Sequence, residues 1–183
     1  MQKLLCRYKN EFPENYEFIF LDTEASSLWD GYPIEVAWMS ENGESDSFLI
    51  RPMEYWLKTK HWSRDSELIH NIEFNKLMSD GECVISSVER LNQRLKGKIV
   101  LCDALSSDGE WLGELHEAAD IAPSYMLTDI NFWYSYIGKS NARKFRKAVA
   151  EKLKNKTHRA LADVEPYIET FHELKDSLVV SKE

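Results

Sequence analysis

Glu17-Phe18-Ile19-Phe20-Leu21-Asp22-Thr23-Glu24 is the stretch on which the fold turns. Four apolar side chains in succession, closing on an acid, predict a central strand over Glu17–Asp22, because a strand covered on both faces shows no polar alternation. Asp22 and Glu24 lie two residues apart, so the strand period of two sends both carboxylates to one side. At the C-terminal edge of a central strand, that side overlooks the crevice where open α/β sheets bind ligands. A lone Asp-x-Glu is equally the pattern of two turn acids, so the pair acquires meaning only from partners elsewhere in the chain.

Downstream of this stretch, Pro33–Met39 and Ser45–Ile50 are two further strands. Ser40-Glu41-Asn42-Gly43-Glu44 supplies hairpin chemistry between them, since Asn-Gly favours positive φ. The three strands are expected to form a meander. Tyr55–Met78 reads as short helices and loops. Val84, Ile85, Val88, Leu91 and Leu95 fall at helical spacing, with Gly97 as the stop. Ile99–Cys102 returns to a buried strand. Ser107-Asp108-Gly109-Glu110 has the spacing of a capping box with Ser107 at the cap, predicting a helix that carries Trp111, Leu112 and Leu115. Tyr125–Ile130 is a fifth strand. Asn141–Lys156 and His158–Asp176 read as helices, and Pro166 is expected to kink or break the second because it cannot donate to the carbonyl four residues back. Strands first, then strand–helix alternation, predict an α/β layered domain. Residues 1–183 form a single domain in this reading, with 1–15 as an N-terminal extension forming an added edge or a loose arm.

Of the 183 residues, 43% are apolar and 30% charged, the balance of a globular protein with a full core. No stretch approaches the roughly 20 apolar residues that span a bilayer, and Met1–Asn10 lacks a secretory h-region. A cytoplasmic protein with no membrane association is the expectation. Cys6, Cys83 and Cys102 are odd in number and widely spaced, which argues against a disulfide framework or a Cys-rich zinc site and for free buried thiols. The net charge of −8 is unevenly placed: Lys139–Arg159 holds nine basic residues and one acid, leaving −16 on the remainder. Such a strip is either a solvated helix face or an electrostatic footprint for a phosphate backbone.

Two more segments carry chemistry. Asp108 falls in the predicted first turn of the helix after Cys102, where an acid also complements the helix dipole. Asp103, directly at the strand end, is its rival. In Thr157-His158-Arg159-Ala160-Leu161-Ala162-Asp163, His158 and Asp163 are five apart, about 140° around a regular helix. For both to reach one site, His158 must sit in the entry loop or first turn, with Thr157 or a neighbour capping the helix. Taken alone, His158 reads as an exposed histidine in a basic segment.

Together these residues resemble the DEDDh 3′–5′ exonucleases, the group of the proofreading subunit of bacterial DNA polymerase III, RNase T and oligoribonuclease. The first motif is Phe20-Leu21-Asp22-Thr23-Glu24-Ala25-Ser26-Ser27-Leu28, followed by Pro33-Ile34-Glu35-Val36-Ala37. The second is Asp103 to Leu112, with Ala104 and Ser107 where many members have Asn and Phe. The third is the His-x-x-x-x-Asp of His158 and Asp163. Leu68-Ile69-His70-Asn71-Ile72 is similar to a segment that often lies between the first two motifs. The resemblance covers about residues 17 to 175, and the placement of Trp111-Leu112 favours Asp108 over Asp103 as the second-motif acid.

The resemblance implies an RNase H-like layered domain, a central mixed five-stranded sheet flanked by helices. It also implies two divalent cations, Mg²⁺ or Mn²⁺, which suit hard carboxylate oxygens. Asp22 would bridge the two cations, Glu24 and Asp163 would complete one position, and Asp108 would hold the other. His158 would be the general base, a task suited to a residue type that titrates near neutrality. The implied substrate is nucleic acid with a free 3′ end, RNA or single-stranded DNA, cut to nucleoside 5′-monophosphates. Ser26, Ser27 and Leu28 would contact the terminal nucleotide, with Trp29 as a stacking platform, and Arg143, Lys144 and Lys147, with Lys139 and Arg146, would track the backbone. Homodimerisation is compatible with this reading. The competing expectation is a catalytically silent nucleic-acid-binding or regulatory module on the same fold. A Cys–His hydrolase lacks any motif that sets Cys83 or Cys102 beside a base.

Overall fold

The computed structural model describes residues 16–154 and 158–178. The expectations for the 1–15 extension and for a Thr157 cap lie outside the described residues. Strand β1, Ile19–Ala25, pairs antiparallel with β2, Pro33–Ser40, which pairs antiparallel with β3, Ser45–Leu49. The predicted meander is thus present, closed at Ser40–Glu44 with Gly43 at φ 83°. On its other side β1 runs parallel to β4, Ile99–Cys102, which runs parallel to β5, Met126–Asp129. The order is β3-β2-β1-β4-β5, a mixed five-stranded sheet with β1 in the middle.

Helices follow the predicted pattern with three differences. The Tyr55–Met78 region contains α1 (Glu54–Thr59), α2 (Arg64–His70) and α3 (Phe74–Asp80), and α4 is Val84–Leu95. Helix α5, Leu105–Ala119, starts before Ser107: the cap position is Ala104, and Ser107 lies inside the first turn. The capping-box pattern therefore misplaced the start, because β4 ends at Cys102 and the chain turns at once. Helix α6, Ile130–Ile137, was not expected; its signal was Asp129, whose side chain accepts from the Asn131 backbone N–H at 2.7 Å. Helix α7 is Lys139–Leu153. Helix α8, Ala160–Leu174, continues through Pro166, so of the expected kink or break the break does not occur. Pro166 is buried, in a helix that packs across β1 and β2.

The two faces of the sheet carry separate cores. Ile19, Leu21, Ile34 and Val36 pack with Leu91, Leu112 and Leu115 of α4 and α5. Phe18, Phe20, Ile99 and Leu101 pack with Trp133, Phe145, Val164 and Tyr167 of α6, α7 and α8. Alternation along β1 decides the placement of the functional side chains: Phe18 and Phe20 face α8, and so must Asp22 and Glu24 two and four residues on. Of the described cysteines, Cys102 is buried as expected but Cys83 is exposed, at the start of α4.

Candidate active site

Where the apolar run of β1 ends, its register with the neighbouring strands assembles a cluster of acids. Phe20 stands opposite Leu101 in the parallel β1–β4 pair, so two residues further along both strands Asp22 and Asp103 come side by side. Asp108 reaches the same place from the first turn of α5. Ligand oxygens of Asp22, Asp103 and Asp108 lie within 4.8 Å of one another, and so do those of Asp22, Glu24 and Asp163. Asp22 belongs to both groups. The alternatives Asp103 and Asp108 are therefore not exclusive: the structure places both beside Asp22.

Two of the acids are held from behind. The Thr23 hydroxyl donates to Asp108 Oδ1 at 2.7 Å, which leaves the buried Oδ2 with no hydrogen-bond partner among the described residues. The Tyr167 hydroxyl donates to Asp103 Oδ2 at 2.7 Å, and its ring stacks on Phe20 at 3.7 Å between centroids. Asp163 stands in the first turn of α8. The start of that helix is pinned by Glu35 of β2, a buried carboxylate that sequence reasoning did not assign to the site. Glu35 accepts from Arg159 Nε at 2.9 Å, from a second guanidinium nitrogen, and from the Ala160 backbone N–H at 3.1 Å. It thus caps α8 from another strand, where Arg159 at the cap position has no side-chain cap of its own.

This many carboxylates in one place raise one another's proton affinity. Asp22 is pushed well above the carboxylate range, first by burial and then by Asp108, Glu24, Asp103 and Asp163. Burial and then Asp163 push Glu24 up to about 8, with the Arg159 guanidinium opposing. Asp108 rises to about 7, again chiefly through burial, against the Thr23 hydrogen bond. Such a cluster stays ionised at neutral pH only with compensating positive charge. All-oxygen donors, an orphaned buried Oδ2 and mutually repelling charges fit hard divalent cations.

His158 is exposed, just ahead of α8, and lines a cavity of about 220 Å³ with Phe20, Asp22, Asp103, Leu153, Asp163 and Tyr167. Its place before the helix is what lets it reach the site that Asp163 reaches from within it. Cys102 ends β4 close by; burial and the Asp108 and Asp103 charges push its thiol up, and its Sγ donates to the Thr128 carbonyl at 3.7 Å.

The β1–β2 loop presents Leu28 and Trp29 at 76% and 83% exposure. Ser26, expected at the terminal nucleotide, is fully buried, its hydroxyl donating to the His61 carbonyl at 2.8 Å and accepting from the Tyr32 N–H. Its hydroxyl thus joins the loop to the α1–α2 connection. Ser27 is also buried and accepts from the Trp29 N–H at 3.2 Å. The loop is tied to the α1–α2 connection by Ser63 N–H to Ser26 O and His61 N–H to Asp30 O, both 2.8 Å. Gly31 lies so close to Ser27 that a Cβ would stand 2.3 Å from its carbonyl oxygen. The apolar tip is therefore displayed on a stiff support.

With this geometry in place, known structures give a direct comparison. The chain is similar in fold to E. coli exonuclease I. Against that enzyme in complex with a dA16 oligonucleotide the TM-score is 0.67 at 16% identity, over 88% of this chain and 41% of that one. A zinc-ion-bound form of its complex with single-stranded DNA gives 0.62 at 15%, and the apo form 0.62 at 16%. This chain spans about two fifths of the length of exonuclease I. No family model matches the sequence, and no curated protein matches it. The α/β architecture is the RNase H-like fold of exonuclease I. Among the described residues no helix is long and apolar enough to cross a membrane.

Of the predicted backbone-tracking residues, Arg143, Lys144 and Lys147 are exposed on α7, as is Lys139. Arg146 donates to Asn131 at 2.8 Å and stacks over Tyr134 at 4.3 Å, while Lys152 pairs with Glu169 and Glu173 of α8. The basic strip is thus divided between a free face and a structural one.

Proposed function

We propose that this chain is a divalent-cation-dependent 3′–5′ exonuclease acting on single-stranded nucleic acid, RNA or DNA. The observation that carries the reading is the sharing of Asp22 between two three-carboxylate groups, with His158 on the same cavity, in a fold similar to exonuclease I. Asp22, Glu24 and Asp163 would hold one cation, and Asp22 with Asp108 the other. Bound there, the cations supply electrostatic stabilisation of the charge that builds on the phosphate and leaving oxygens.

The chain's own groups do the rest. His158 accepts the proton of the water that attacks phosphorus; the P–O3′ bond then breaks, O3′ takes a proton from solvent to become the new 3′-hydroxyl end, and a nucleoside 5′-monophosphate leaves. Glu35, through Arg159 and the Ala160 N–H, fixes the start of α8 and so sets His158 and Asp163 relative to β1. Tyr167 and Thr23 orient Asp103 and Asp108. Trp29 and Leu28 would receive the terminal base, where stacking contributes about 1–3 kcal/mol per base. Leu153, at the end of α7, lines the cavity, so the free cations of Lys147, Arg143 and Lys139 lead away from it at about 1.5 Å per residue.

The test incubates matched single-stranded RNA and DNA, labelled at either end, with Mg²⁺, Mn²⁺ or chelator. A ladder that shortens from the 3′ end only with metal is expected. Cutting that survives chelator, or none on either polymer with either metal, rejects the reading.

A further inference from the structure

Asp103 is an acid for which the four-carboxylate reading has no task, yet the fold sets it with care. The β1–β4 register delivers it next to Asp22, and its oxygens come within 4.8 Å of those of both Asp22 and Asp108. One of its oxygens is occupied by the Tyr167 hydroxyl, and that ring is itself clamped on Phe20. Holding one oxygen fixes the direction of the other. A surface acid serving only solubility would need no such mount. Asp103 is exposed, so the mount is not a by-product of core packing. The independent sign of a ligand at this place is Asp108 Oδ2, buried and without a hydrogen-bond partner among the described residues, beside the same oxygens.

We propose that Asp103 is the third carboxylate of the cation position on the β4 side, completing an Asp22–Asp103–Asp108 ligand set that matches Asp22–Glu24–Asp163 in charge. With only Asp22 and Asp108, the β4-side position would be the weaker by one formal charge, and for hard divalent cations affinity follows ligand charge count. Asp103 removes that asymmetry. Tyr167 acts as a positioning residue, since it touches Asp103 and not the ion. This inference rests on the nuclease reading for its biological meaning, but the ligand set can be tested without catalysis.

The experiment titrates the full chain with Mn²⁺ in the absence of nucleic acid, following free Mn²⁺ by electron paramagnetic resonance. Wild type is expected to bind two ions with affinities within about tenfold of each other. Asp103→Asn should leave one position unchanged and weaken the other by about 10-fold or more, the lower bound set by what removing a group outside the ligand set commonly costs. Tyr167→Phe should weaken the same position by less. Asp163→Asn, the control, should affect the opposite position, so that the double variant Asp103→Asn/Asp163→Asn loses both. Far-ultraviolet circular dichroism verifies that each variant is folded, which the exposure of Asp103 favours. If Asp103→Asn binds two ions as wild type does, Asp103 is not a ligand and the inference falls, whatever the nuclease assay gives. If it loses one ion while wild type cuts no nucleic acid, the ligand set stands and the nuclease reading falls.

Discussion

Asp22 lies in both carboxylate groups, so replacing it disturbs two positions at once, whereas Asp163 and His158 report on one role each. Asp163→Ala is expected to lower turnover by more than about 100-fold, beyond the cost of losing a group outside the ligand set, with an unchanged circular dichroism spectrum. His158→Ala should lower kcat by about 10²–10⁴-fold, the usual worth of a positioned general base, while Mn²⁺ binding is retained. A variant of either residue with full activity removes that residue from the mechanism. The raised proton affinities give a further check. Glu24 and Asp108 move from the ordinary carboxylate range up to about 8 and about 7. Between that range and about pH 8 the metal-free folded state therefore holds more protons than the unfolded chain, and linkage makes stability fall as pH rises. Cations that displace those protons act most where the carboxylates would otherwise have to ionise unaided. The gain in Tm on adding Mg²⁺ should accordingly be larger at pH 8 than at pH 6 by differential scanning fluorimetry; a gain independent of pH contradicts the assignment.

Among the elements, α8 shows most clearly what sequence could and could not reveal. The His158–Asp163 spacing was legible, as was the need for His158 to sit in the entry loop or first turn. Its cap was not, because Glu35 lies 124 residues away from Arg159 and meets it only once β2 is beside β1. Glu35 also stands directly opposite Glu24 in the β1–β2 ladder, a like-charge pair that Arg159 offsets. Arg159→Met should leave the Glu35 carboxylate buried without its ion-pair partner. A fully buried pair costs about 3–5 kcal/mol to break, but Arg159 is 38% exposed, so a loss of about 1–3 kcal/mol is expected in urea denaturation. Glu35→Gln added to Arg159→Met should restore most of that stability without restoring activity, since His158 stays unanchored. Recovery of both would make the clamp merely structural. The second-motif acid was unresolved for a similar reason. A single sequence offers Asp103 or Asp108, and only the Phe20–Leu101 register shows that both arrive. The misplaced start of α5 and the unforeseen α6 have local causes: Ala104 caps without a side chain, and the aromatic run Phe132-Trp133-Tyr134 resembles a strand continuing from β5.

For the molecule as a whole, the charge imbalance becomes a matter of geography. An acidic body carries an exposed basic face on α7, a surface to which a polyanion would be drawn. Part of the strip proved structural, which its sequence could not show, because Lys152 and Arg146 find their partners on α8 and α6. The triple variant Arg143→Ala/Lys144→Ala/Lys147→Ala should bind single-stranded nucleic acid more weakly at low salt. For single strands the logarithmic salt slope should shrink by about 0.7 for each phosphate no longer neutralised, up to about 2. Filter binding across a salt series measures both, and an unchanged slope places the backbone elsewhere.

One consequence follows from the position of β1 between β2 and β4. The residue common to both ligand groups sits on the strand whose amides are bonded on either side, where hydrogen exchange reports only complete opening of a sheet. Partial unfolding from either edge would cost the site its outer members but not its centre. Cation affinity should therefore weaken as an edge opens and vanish only when β1 itself comes free.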